Sequence, residues 1–141
     1  MAFSNIVFFG YAASSVFEEG FVFLVAGLAI IALLFIKREN KLPLVFAIVL
    51  TFLLVTSLKG FFNEPRPCNG FDFCPPDSGF PSGHSAAMFV LAVASMGSFS
   101  FYFFFPLALA IAFSRYFFGV HTSVQVVAGA VTGLVVFLVF Y

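Results

Sequence analysis

Lys59, Arg66, Arg115, His84 and His121 are the residues of this chain best suited to phosphate chemistry, and they fall in three short segments. The first reads Lys59-Gly-Phe-Phe-Asn-Glu-Pro-Arg66-Pro67, the second Pro81-Ser82-Gly83-His84, and the third Ser114-Arg115-Tyr-Phe-Phe-Gly-Val-His121. Cations gathered together repel unless an anion sits between them. A phosphate dianion would satisfy Lys59, Arg66 and Arg115, and guanidinium forks match its oxygens. Ser82 and Gly83 stand just before an apolar run read as a helix. Backbone N–H groups at such a start point at an anion, with the positive end of the helix dipole behind them. His84 and His121 are the only histidines. Two imidazoles can supply a nucleophile and a proton donor near neutral pH. No His, Asp or Glu cluster has metal-ligand spacing, so the expectation is metal-independent chemistry without a cofactor.

Something must hold these segments together. Of the 141 residues, 62% are hydrophobic and 9% charged, against roughly 25% charged in a soluble domain. The excess apolar surface implies a bilayer as solvent. The length suits a single domain over residues 1–141, and the zero net charge argues against a nucleic-acid partner. No protein partner is implied. No basic residue precedes Lys37, which argues against a cleaved signal peptide. The expected fold is all-α: a polytopic bundle of about five transmembrane helices. They are read as Phe21–Ile36, Pro43–Leu58, Ser85–Met96, Phe103–Phe118 and Thr122–Tyr141, with Pro43 in a first helical turn. Residues 4–17 are apolar but too short to span, so they read as an interfacial helix, or a sixth, partial one.

The charges set the orientation. Lys37, Arg38 and Lys41 mark a cytoplasmic turn. Counting spans from there places residues 59–84 outside. The next turn, near Gly97–Ser100, returns inside, and Arg115 and His121 emerge on the outer face. Cys68 and Cys74 share that outer loop, where a disulfide is permitted, and spacing alone leaves a bond and two free thiols both open. Simpler readings exist for single residues. Lys59 alone reads as a snorkelling helix end and Arg66-Pro67 as a loop turn. Arg115 lies within an apolar stretch, where a charge is functional by default.

Taken together, the three segments resemble the type 2 phosphatidic acid phosphatase superfamily. Its pattern is Lys, six residues, Arg-Pro; then Pro-Ser-Gly-His; then Ser-Arg, five residues, His, three residues, Asp. The match holds at Lys59, Arg66, Pro67, Pro81, Ser82, Gly83, His84, Ser114, Arg115 and His121. The resemblance implies that His121 attacks phosphorus and becomes a phosphohistidine, and that His84 protonates the leaving oxygen. It implies that Lys59, Arg66, Ser82, Gly83 and Arg115 hold the phosphoryl oxygens. The substrate would be a lipid phosphate or diphosphate, of polyprenyl diphosphate or phosphatidate type, met at the extracytoplasmic face of the cell membrane.

One position departs. The family's last Asp falls at Gln125. One helical turn separates 121 from 125, so the amide can reach the imidazole but brings no negative charge. In a serine-protease triad the Asp→Asn change costs ~10⁴ in kcat. Three readings stay open at this stage. The enzyme is slow; another carboxylate, such as Asp77 or Glu64, serves instead; or Gln125 is an engineered or natural loss of function that leaves a lipid-phosphate-binding form. A lipid phosphotransferase, in which an alcohol resolves the phosphohistidine, is a further alternative.

Overall fold

The computed structural model describes residues 20–71 and 74–141. The expected interfacial helix at residues 4–17 lies outside them. The described residues form five helices and no strand: α1 Gly20–Phe35, α2 Arg38–Phe62, α3 Gly83–Ala94, α4 Phe101–Phe117 and α5 Ser123–Phe140. The architecture is therefore the expected all-α membrane bundle.

A spacing recurs in the helices that form the wall. In α1 the core-facing positions are Phe21, Val25, Leu28 and Ala32, and in α2 they are Asn40, Leu44, Ala47, Thr51 and Val55. Steps of four and three trace one stripe along a 3.6-residue helix. The opposite faces are equally apolar yet exposed: Phe23 at 80%, Phe113 at 63% and Val139 at 70%. Water would not tolerate such a surface, and hydrocarbon does. The 25 residues of α2 extend about 37 Å at 1.5 Å each, enough for a ~30 Å hydrocarbon layer.

The 12 residues of α3 are too few for that crossing, but α3 lies at the centre. It packs on α2, α4 and α5, and its residues from Val90 to Ala94 are all buried. Its ends are covered by protein, so its length need not match the bilayer. The approach to α5 is close: a Cβ at Gly129 would overlap the Ser82 carbonyl, and one at Gly133 the Ala86 carbonyl. Small residues let two backbones meet in this way where water supplies no driving force. At the far end, Asn40 Nδ2 donates to the Ala94 carbonyl at 2.8 Å, tying the start of α2 to the end of α3.

Several helix boundaries differ from expectation. Pro43 lies inside α2, past its first turn, because the helix begins at Arg38 behind a Lys37 N-cap. That cap makes no side-chain hydrogen bond, so only the backbone marks the start. At its other end α2 runs on to Phe62, which puts Lys59 in the last helical turn, where a cation also complements the dipole. Asn63 ends the helix in the left-handed conformation (φ 43°), which Asn adopts more readily than other side chains. Gly83 and His84 belong to α3, with Ser82 as the N-cap whose hydroxyl accepts from the Ser85 N–H.

Candidate active site

The functional segments meet at one end of the bundle through backbone bonds. The Ser82 N–H donates to the Gln125 carbonyl at 2.9 Å, joining the start of α3 to the first turn of α5. Arg115 and His121 are joined by the turn between α4 and α5. The Val120 N–H returns to the Arg115 carbonyl and the Gly119 N–H to the Tyr116 carbonyl. This is a Schellman closure, and it needs the left-handed residue that Gly119 supplies at φ 68°. The His121 N–H then also reaches the Arg115 carbonyl, at 3.1 Å, so the turn folds the imidazole back beside the Arg115 backbone. Both Arg115 and His121 are 1% exposed.

Arg66 connects the histidine to the cations. Its Nη1 lies 3.0 Å from His121 Nε2, its Nη2 donates to Asp77 Oδ1 at 2.7 Å, and its Nε donates to the Asp77 carbonyl at 3.1 Å. Lys59 pairs with the other Asp77 oxygen. Asp77 therefore bridges the two cations with an anionic fork. Burial opposes its charge, but the hydrogen bond from Lys59 and the nearby Arg66 outweigh that and hold its carboxyl below the usual carboxylate range.

A guanidinium can only donate, so His121 Nε2 must accept and its proton sits on Nδ1. Nδ1 faces Gln125 Oε1 at 3.2 Å. Burial, then the Arg66 and Arg115 charges, push the His121 ring down to a pKa of about 3, against the hydrogen bond it donates to Gln125 Oε1, which favours protonation. The ring is neutral at physiological pH, with its lone pair on Nε2.

His84, the second residue of α3, stacks on Phe21 of α1 with ring centroids 3.7 Å apart. It lines a cavity of about 840 Å³ together with Lys59, Arg66, Asp77 and Gly83. Most of the remaining wall is apolar, with Val25 and Ala29 from α1 and Ile48, Phe52 and Val55 from α2, interrupted by Thr51 and Thr56. Polar chemistry thus sits at one end of a hydrocarbon-lined groove.

The family model for the PAP2 superfamily matches residues 40–141. The chain belongs to the PAP2 superfamily. Among solved structures it is similar to Aquifex aeolicus LpxE, with a TM-score of 0.72 and 30% identity over 96% of this chain and 85% of that one. It also shares the fold of the first transmembrane PAP2-type phosphatidylglycerolphosphate phosphatase from Bacillus subtilis. That TM-score is 0.61, at 21% identity, covering 96% of this chain and 73% of that one. Among curated proteins, none matches.

Within that PAP2 frame, the structure draws Lys59, Arg66, Ser82, Gly83, His84, Arg115, His121 and Gln125 into one region, and Cys68 and Cys74 are disulfide-bonded in the loop that carries Arg66. Two features escaped sequence reasoning. Asp77, weighed as a substitute orienting carboxylate, contacts Lys59 and Arg66. Gln125 is also the third residue of a capping box: Thr122 Oγ1 accepts from the Gln125 N–H while Gln125 Oε1 accepts from the Thr122 N–H. The signal was present as Thr122-Ser-Val-Gln125 before an apolar run.

Proposed function

We propose that this protein hydrolyses the phosphate or diphosphate headgroup of a membrane lipid through a phosphohistidine on His121. The observation that carries the reading is the Arg66–His121 contact. It supports reading Nε2 as the bare nitrogen of a neutral imidazole, beside the cations that would hold phosphate.

The incoming phosphoryl group takes the place of the Asp77 carboxylate on Lys59 and Arg66, and Arg66 Nη1 turns from Nε2 to a phosphoryl oxygen, which frees the Nε2 lone pair. The Nε2 lone pair forms the N–P bond as the bond from phosphorus to the lipid oxygen breaks. That oxygen takes a proton from His84. Water, giving a proton back to His84, then attacks phosphorus, and the N–P electron pair returns to Nε2. Lys59, Arg66, Arg115 and the N–H groups around Ser82 and Gly83 stabilise the phosphoryl charge throughout.

The apolar groove between α1 and α2 supports a lipid substrate, because a tail can lie against Val25 and Phe52 while the headgroup reaches the cations. The Lys37–Lys41 cluster at the opposite end of α2 supports several membrane crossings, with the site facing away from the cytoplasm. Polyprenyl diphosphate and phosphatidate both fit this description.

The test is phosphate release in detergent, screened over phosphatidic acid and a polyprenyl diphosphate. Release from at least one of them, by the native chain and not by His121→Ala, is the expected result. Activity should also persist in a strong chelator; abolition that Mg²⁺ reverses would count against the scheme.

A further inference from the structure

We infer that Glu64 is a positioning residue for His121, acting through the Gln125 amide, so that the negative charge of the catalytic pair stands one side chain behind the imidazole. The inference rests on His121 being the nucleophile.

The amide orientation is settled by neighbours that have one role each. Gln125 Oε1 receives the Thr122 N–H at 3.1 Å, and a backbone N–H can only donate. Gln125 Nε2 lies 3.3 Å from the Pro65 carbonyl, which can only accept, and 2.8 Å from Glu64 Oε1. The oxygen therefore faces His121 Nδ1 and the NH₂ group faces the carboxylate. Arg66 on Nε2 fixes the ring tautomer from the other side. The result is a directed chain, from the His121 Nδ1–H to the Gln125 oxygen and from the Gln125 NH₂ to Glu64. Such chains polarise each member in turn.

The surroundings give this chain a purpose. Lys59, Arg66 and Arg115 all disfavour positive charge on the ring. Phosphorylation at Nε2 places positive charge there. Glu64 is the carboxylate in contact with the amide that touches the ring.

The backbone is also arranged for this longer connection. A Cβ at Gly79 would fall 2.6 Å from Gln125 Nε2 and 2.8 Å from its Oε1, so the amide lies on bare backbone. The same Gly79 donates its N–H to the Glu64 carbonyl at 2.8 Å, and Ser78 Oγ donates there at 3.2 Å. One short strand of loop thus makes room for the amide and anchors the residue behind it. Aspartate at 125 is one methylene shorter and anionic. It would face Glu64 as a like charge, and Gln125→Asp is expected to lower turnover.

The experiment has two arms. In the first, phosphate release from dioleoyl phosphatidic acid in detergent is measured for Glu64→Gln, Gln125→Leu and the double variant. Glu64→Gln should lower kcat ~10–100-fold with KM within about twofold, and should have no further effect once Gln125 is Leu. Additive losses, or native turnover in Glu64→Gln, would overturn the inference. In the second, the Nδ1–H proton of His121 is followed by NMR in ¹⁵N-histidine-labelled protein, assigned with His84→Gln. Glu64→Gln should move that resonance upfield as the acceptor loses polarisation; an unmoved resonance overturns the inference without reference to activity. If the native chain releases no phosphate from any lipid, the phosphatase reading fails and the NMR arm alone decides the role of Glu64.

Discussion

Arg66 holds two partners that substrate must take from it. Its guanidinium donates to His121 Nε2 and to the Asp77 carboxylate. On the proposed reading, Asp77 stands where a phosphate anion would, and the substrate would displace it from Lys59 as well. Asp77→Asn should therefore strengthen binding of inorganic phosphate as a competitive inhibitor, by ~3–10-fold in Ki, because less of the free protein is held in the self-paired form. His121→Ala should abolish a trapped phosphoenzyme and cut phosphate release by roughly 10⁴–10⁶. The neutral imidazole also has a consequence for acid stability. Its folded pKa, about 3, is below the 6.5 of a free histidine. Between those values the unfolded chain binds a proton that the folded chain does not, so stability falls as pH drops through that window. At pH 5 the loss is about 2 kcal/mol. Denaturation in detergent at pH 7 and pH 5 checks this, and His121→Gln should reduce the difference. Which residues carry charge was plain from their types and spacing. How they pair was not, because Asp77 is 18 residues from Lys59 in the chain and the loop geometry brings them together.

At the scale of elements, several site residues are held by helix ends, while Arg66 and His121 lie in the connections between helices. Lys59 rides the last turn of α2, His84 the first turn of α3, and Gln125 the first turn of α5. The spans expected from sequence, Pro43–Leu58 and Ser85–Met96, leave Lys59 beyond its helix and Gly83 before the next one. The reason is physical: α2 runs on through Gly60 and ends only at the left-handed Asn63, and Gly83 is a poor helix former that sits at a start only because Ser82 caps it. The connection from α2 to α3 is the one long loop among the described residues, and the Cys68–Cys74 bond closes part of it. Closing a loop of that size contributes about 2 kcal/mol in the chain-entropy model. Cys68→Ser with Cys74→Ser should loosen the segment two residues from Arg66. The expected signature is a KM for lipid phosphate raised more than kcat is lowered, read from full saturation curves.

For the whole molecule, hydropathy identified the bundle but not its interior. The exposed face of α2 is as apolar as its buried stripe, which even includes Asn40 and Thr51, so hydropathy does not pick out the packed side. That is why α3, the shortest helix, did not announce itself as the central one. The small residues did carry that information: Gly129 and Gly133, four apart on α5, mark where α3 crosses. Gly133→Val should cost at least ~3 kcal/mol, since its side chain would collide with the Ala86 backbone, which cannot yield as a side chain can. Thermal unfolding in detergent is the measure, and the change lies a full two turns of helix from Gln125.

The groove between α1 and α2 ends at the cations and is walled mostly by hydrocarbon. A guest that arrives by that route is drawn from the plane of the membrane and never from bulk solution. Turnover should then track the mole fraction of substrate in mixed micelles. Adding inert detergent at constant total substrate should slow the reaction, while diluting micelles and substrate together should leave the rate per enzyme unchanged.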